Sequence, residues 1–309
     1  MEDRAVIVQS LSKTFDKVRA LHEVSFEVSR GEIFGMIGPD GAGKTTLFRI
    51  LSTLMLPGSG QAEVLGTDVV KNYRKLRKRI GYMPGRFSLY PDLTVRENLE
   101  FYATIFGTTP AENYHLIRDI YIQIEPFSKR RAGALSGGMK QKLALCCALI
   151  HKPDLLILDE PTTGVDAVSR KEFWEMLLKL KQGGMSILVS TPYMDEAAQC
   201  DNIALIQEGR ILVTAAPHEV TASFSLPLLG VRSNAPWLLL NDLRQWPYAE
   251  SVQPFGEFIH VIAQPGHGEP QALLSFLKEK GHPDPEVRVL QAGIEDCFMH
   301  LMGAPSHAI

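Results

Sequence analysis

At 309 residues the chain is too long for one small core and suits one large domain plus a smaller one, or two of ordinary size. Its 45% hydrophobic and 22% charged residues are those of an ordinary globular protein, and a net charge of −3 gives the chain as a whole no nucleic-acid footprint. No apolar run approaches the roughly 18 residues of a membrane span, the acidic start MEDRAVIVQS has no signal-peptide core, and the cysteines (Cys146, Cys147, Cys200, Cys297) form no CxxC pair that would suggest zinc. They read as free thiols of a reducing cytoplasm.

Residues 1–35 alternate apolar and polar side chains in AVIVQSLSKTF and LHEVSFEVS, then become apolar in GEIFGMIG. This predicts short antiparallel strands leading into a buried one. A Gly-rich turn and an apolar helix, KTTLFRILSTLM, follow, and GQAEVLGTDV reads as another hairpin strand. The basic run KNYRKLRKR, residues 71–79, is of a kind that nucleic acid or acidic lipid can bind. It reads more simply as the solvated face of a short helix before the IGYMP strand. From about Thr94 to Ile150 the pattern is helical. DLLILDEP and MSILVSTP are apolar runs of strand length with a helix, SRKEFWEMLLKLKQ, between them, which predicts a parallel sheet covered by helices. DNIALIQEGRILVTAAP closes this part as a hairpin. After about Ser223 the order becomes β-α-β-β-α-β-α, similar to a ferredoxin-like module.

GPDGAGKTT, residues 38–46, fits G-x-x-x-x-G-K-[ST] after an apolar strand and before a helix. Gly41 and Gly43 let the backbone turn so that successive N–H groups face a phosphate, and the helix N-terminus adds positive potential. Lys44 can reach β- and γ-phosphates and Thr45 can ligate Mg²⁺; Gly38, Asp40, Ala42 and Thr46 complete the cradle. The strand LLILDE delivers Asp159, a second Mg²⁺ holder, and then Glu160, placed to act as general base on water. The expected fold is therefore α/β: a P-loop NTPase with an antiparallel β-subdomain and a helical lobe (about 86–150) over residues 1–222. A small α+β, ferredoxin-like C-terminal module follows at 223–303, and residues 304–309 are a tail or linker stub.

LSGGM, residues 135–139, lies between these motifs and opens a helix. With it the chain resembles the ATP-binding subunit of an ABC transporter over essentially residues 5–220. LSGGM is similar to the family signature, Gly164-Val165-Asp166 to the loop after the Walker B strand, and Phe15 to the aromatic that stacks on adenine. GVDAVSRKEFWEML and the terminal GIEDCFMHLMG look most like ABC-2-type exporters of the drug-resistance and polysaccharide group. The resemblance implies ATP and Mg²⁺ as cofactors, separate membrane permease subunits, no nucleic-acid partner, and a peripheral place on the cytoplasmic face of a membrane. It also implies a dimer in which Ser136, Gly137, Gly138 and the loop Asp166 meet the ATP of a second ABC ATPase domain. From the residues alone, Ser136 and the two glycine N–H groups make an anion-binding helix start.

Two positions depart from the family pattern. A histidine that contacts the γ-phosphate is replaced by Pro192, and the glutamine after the IGYMP strand is replaced by Gly85. Neither residue offers a side-chain donor. A milder departure is Asp40, where asparagine is common. Both main losses fall in the half-site of the chain's own P-loop, so the expectation is an impaired half-site whose signature still completes a partner's. That partner is a second ATPase chain, a domain following in a longer gene product, or an identical copy. The alternatives are a non-hydrolysing regulatory ATP-binding module, and a soluble ABC ATPase acting on ribosomes or DNA. Phe87 and Tyr90 suit either core packing or contact with a permease helix, and Cys146 and Cys147 read as core.

Overall fold

The computed structural model describes residues 3–85 and 88–303. The chain divides into a first compact unit ending at Pro217 and a second beginning at His218.

In the first unit, β1 (Arg4–Phe15) and β2 (Val18–Ser29) form an antiparallel hairpin, and β3 (Ile33–Ile37) leads into α1 (Lys44–Leu51). Then come β4 (Ser59–Val64), β5 (Thr67–Asp68), α2 (Tyr73–Arg77), β6 (Ile80–Met83), α3 (Val95–Ile105), α4 (Tyr114–Tyr121) and α5 (Gly137–Leu149). The unit continues through β7 (Leu155–Asp159), α6 (Ala167–Gln182), β8 (Ser186–Thr191), β9 (Asn202–Gln207) and β10 (Arg210–Ala215). One sheet runs β2-β1-β4-β5 and the other β10-β9-β3-β8-β7-β6. In the second sheet β9, β3, β8, β7 and β6 are mutually parallel, and β10 turns back antiparallel at the edge.

Every residue of β3, β7 and β8 is buried. This is why their apolar stretches, IFGMI, LLIL and ILV, run without polar alternation: a parallel strand is covered on both faces. Phe34, Phe48, Leu51, Ile157 and Leu188 join the β1–β2 hairpin's Val6, Val8 and Leu21 in one core.

The N-terminal strands are 12 residues each, longer than the short strands expected. Register shifts, with Ser10 and Glu23 at positive φ, let the ribbon bend without breaking. Likewise α1 stops at Leu51, short of the apolar run STLM. Thr53 sits at φ 63°, the Thr53 N–H donates to Ile50 O and the Leu54 N–H to Arg49 O, a Schellman stop that the periodicity does not announce.

α3 and α4 pack on α5. The entry to α3 is held by a Thr94–Glu97 capping box and by Asn98, which is fully buried. Asn98 accepts from the Tyr90 N–H (2.9 Å) and donates to the carbonyls of Tyr90, Leu93 and Thr94 (3.1, 3.2 and 3.0 Å). Asn98→Ala would strand these groups and should cost about 2–3 kcal/mol. The check is amide exchange at Tyr90, which should accelerate while amides of β3 stay protected.

The second unit holds α7 (Pro217–Ala222), β11 (Leu228–Arg232), α8 (Pro236–Leu243), β12 (Ala249–Phe255), β13 (Phe258–Ala263), α9 (Pro270–Glu279), β14 (Glu286–Leu290) and α10 (Ile294–Gly303). Its sheet is antiparallel throughout in the order β12-β13-β11-β14. With helices between β11 and β12 and between β13 and β14, this is the ferredoxin-like arrangement. Val231, Leu239, Leu243, Trp246, Leu273 and Leu277 belong to its core. The first unit ends at Pro217 and the second begins at His218. Val220 of α7 is buried, and its carbonyl accepts from the Cys297 thiol of α10, so α7 goes with the second unit.

Candidate nucleotide site

The site is assembled where parallel strands end together. β3 runs into the loop 38–43 and then α1, so Lys44 and Thr45 open the helix. Gly41 and Gly43 stand at φ 79° and 103°, the left-handed backbone the turn requires. Gly38 serves differently: a Cβ there would meet Ile206 O of β9 at 2.1 Å, so its lack of a side chain is what lets the loop start against β9. The Gly38 N–H reaches the carbonyl of Thr191 (3.3 Å), placing the turn that carries Pro192 beside the loop's first residue.

Lys44 is 2% exposed and engages Gly38 O (2.7 Å), Pro39 O (2.9 Å) and Glu160 Oε1 (3.1 Å). Its three donors thus point at the inner face of the loop, where phosphate oxygens could compete for them. The Thr45 hydroxyl donates to Asp159 Oδ1 (3.2 Å). Asp159 is buried and also accepts from the Ser190 hydroxyl (2.8 Å). Ser190 in turn accepts from the Glu160 N–H at 3.0 Å. Glu160 lies at φ 50°, so the chain turns sharply at the strand end and throws this carboxylate toward Lys44. The expected quartet Lys44, Thr45, Asp159 and Glu160 is therefore within hydrogen-bonding distance. Thr45 and Asp159 form a pair of hard oxygen donors of the kind Mg²⁺ takes alongside water and phosphate.

Reading the sequence missed Ser190. Its signal was its register: on β8 it stands opposite Asp159 of β7.

Gly85 abuts the same strand end: a Cβ there would lie 2.9 Å from Asp159 O and 3.6 Å from Glu160 Cβ. After Pro192 the chain forms a short 3₁₀ helix, Met194–Gln199. Arg170 of α6 holds this turn, stacking on Tyr193 (4.8 Å to the ring centroid) and pairing with Asp195 at 3.2 Å. Glu196 is buried and takes the Thr162 hydroxyl at 2.8 Å.

Phe15 ends β1 with its ring 42% exposed and Lys13 Nζ 5.5 Å from its centroid. Asp40 is exposed, Ala42 is buried and Thr46 half-buried. Ser136 caps α5 and accepts from the Met139 N–H (3.3 Å). Gly137 and Gly138 form the first turn, and a Cβ on Gly138 would crowd Ser169 Oγ of α6 at 2.6 Å. Asp166 caps α6, and the Ser169 N–H holds its carboxyl below the usual range. Among the described residues no hydrogen bond or ion pair joins Ser136 to Lys44, and Gly137 lines one cavity with Gly85 and Glu160. Tyr90 is exposed and packs edge-on against Phe101, while Phe87 lies outside the described residues. Cys146 and Cys147 are buried, and burial raises both thiols well above their ordinary range, as inert core cysteines require.

Residues 21–163 match the sequence model of the ABC transporter family. The chain is 44% identical over 230 residues to "Probable multidrug ABC transporter ATP-binding protein YbhF" of Escherichia coli (strain K12); the match takes 73% of this chain and 40% of that protein. It is 35% identical over 312 residues, 98% of each chain, to "Nod factor export ATP-binding protein I" of Paraburkholderia xenovorans (strain LB400). Among solved structures, cbiO1 from Clostridium perfringens, part of the ABC transporter complex cbiONQ, matches with a TM-score of 0.65 and 28% identity, covering 72% of this chain and 92% of that one. With a cradle for phosphates, a carboxylate pair beside it and near full-length similarity to an ATP-binding protein of this kind, the chain belongs to the ABC transporter family, as one of its ATP-binding, P-loop ATPase subunits.

Proposed function

We propose that this chain powers an exporter by closing on ATP with a second ABC ATPase domain, and that its own half-site hydrolyses ATP weakly while Ser136, Gly137 and Gly138 complete the partner's. The observation that carries this is the contrast within one site. Lys44, Thr45, Asp159 and Glu160 are assembled, yet Gly85 and Pro192, which flank them, extend no polar side chain inward. Export is supported by the names of the relatives, a probable multidrug transporter protein and a Nod factor export protein.

In this reading the loop N–H groups and Lys44 hold the phosphates, and Phe15 offers a stacking face for the base. Thr45 and Asp159 would hold Mg²⁺, which when bound offsets charge on the phosphate oxygens. Glu160 takes the proton from the attacking water. Without a side chain from residue 85 or 192 the transferring phosphoryl group loses two stabilising contacts, each typically worth about 10²–10³ in rate and not additive when they act together. A separate permease, at the cytoplasmic face of a membrane, would convert that closure into export.

The test is steady-state ATP turnover and ATP affinity of the full chain beside Pro192→His and the Gly85→Gln, Pro192→His double variant. Pro192→His is the cleaner probe, because a glutamine at 85 must first move its Cβ away from Asp159 O. Turnover should rise at least about 10-fold with affinity little changed, a conservative share of one such contact. Ordinary turnover in the wild type with no gain in either variant overturns the impaired half-site. Absence of turnover in all three favours the regulatory ATP-binding module.

A further inference from the structure

The basic run at 71–79 forms the exposed face of the short helix α2, as expected, but its charges are not all balanced by ion pairs. Lys71 has a loose partner in Asp68 (3.7 Å), and Arg79 is fixed on Asp154 (2.6 Å). Arg74, Lys75, Arg77 and Lys78 are exposed, and among the described residues no ion pair holds any of them. Arg77 instead donates to Thr53 Oγ1 and Thr53 O (2.8 and 2.7 Å), which ties α2 to the segment just beyond α1. That segment exposes Leu54 (56%) and Leu56 (64%), and Lys13 Nζ lies on the Leu56 carbonyl at 2.8 Å. Tyr73 stands under the guanidinium groups of Arg74 and Arg77, 37% exposed, and Val70 beside it is 42% exposed. The patch therefore interleaves unpaired cations with projecting apolar side chains, in a chain whose overall charge is −3.

We infer that Lys71–Lys78 together with Leu54 and Leu56 is a docking surface for an anionic lipid bilayer. Long cationic side chains reach headgroup phosphates while their stems, and neighbouring leucines, sit against the acyl boundary. Lys75 and Lys78, held by no side-chain hydrogen bond among the described residues, suit mobile headgroups better than a fixed ligand. A nucleic-acid backbone would use the cations and leave Leu54 and Leu56 without a partner. The surface would hold the subunit against the membrane beside its permease, and it is independent of whether the chain's own half-site turns over.

The experiment is flotation of the full chain, without nucleotide, on vesicles of phosphatidylcholine alone and with phosphatidylglycerol added. The wild type should float only with the anionic vesicles and be released at high salt, where screening shortens to a few ångströms. Arg74→Gln, Lys75→Gln, Lys78→Gln should lower partitioning by about 10²-fold, at about fivefold per cation, with ATP affinity unchanged as evidence of folding. Equal partitioning of the triple variant, equal binding to neutral vesicles, or binding to polyglutamate or duplex DNA with none to anionic vesicles would each overturn the inference.

Discussion

Lys44→Ala should lower the ATP affinity of the full chain by about 10²-fold or more, the range expected when one member of a buried, hydrogen-bonded charge pair is truncated. The ammonium is 2% exposed, so its interactions are weakly screened, and it faces Glu160 and the carbonyls of Gly38 and Pro39. Alanine removes the cation that meets phosphate and leaves the Glu160 carboxylate facing two carbonyls without a counter-charge. Incoming phosphate then finds net negative charge where it needs positive. Equilibrium titration with a fluorescent ATP analogue reads the effect, and it does so whether or not the half-site hydrolyses. Lys44→Met, which keeps the stem and its packing, should bind as poorly as alanine. An unchanged affinity in either variant would show that the loop N–H groups alone hold the nucleotide and that Lys44 serves the fold.

Gly38→Ala is expected to destabilise the first unit by about 3 kcal/mol or more, at the upper end of what overpacking a closed site costs. A Cβ at this position would be 2.1 Å from Ile206 O and 3.0 Å from Ile206 Cγ2. Either β9 moves, at the expense of its parallel pairing with β3 (Met36↔Ala204, Ile37↔Leu205), or the start of the phosphate loop does. In a unit of this size the loss should lower the melting temperature by about 6–12 °C. Gly41→Ala makes the contrast: it has open space around a Cβ and only the left-handed φ of 79° against it, so it should cost about 1–2 kcal/mol. Equal melting temperatures for the two variants would mean that β9 yields freely and that Gly38 is not a packing glycine.

The phosphate loop, the carboxylate pair and the signature were legible because each is a contiguous string whose chemistry depends on neighbours in sequence. GPDGAGKTT needs a strand before it and a helix after it, and both announce themselves by periodicity. The second unit was legible for the same reason, since each of its elements carries its own pattern. Elements failed at their ends. The long bent hairpin and the early stop of α1 depend on left-handed residues, Ser10, Glu23 and Thr53, of types that do not usually mark such a conformation. The place of α7 in the second unit rests on a thiol nearly eighty positions away along the chain, Cys297 to the Val220 carbonyl.

The sequence alone supplies the candidate chemistry: a glycine-rich loop with its lysine, two acids at a strand end, a Ser-Gly-Gly helix start, and no side-chain donor at positions 85 and 192. Folding settles which groups meet. Ser190 becomes part of the site because parallel register sets it opposite Asp159 across β7 and β8. Gly38 turns out to matter for β9, and Gly85 lies against the backbone of Asp159. Arg170 braces the turn that carries Pro192, while the cations of α2 gain exposed leucines through the Arg77–Thr53 contact. Periodicity and motif are properties of a few consecutive residues. Proximity between strands and loops that lie far apart in the chain is decided by register and packing, which no local pattern encodes.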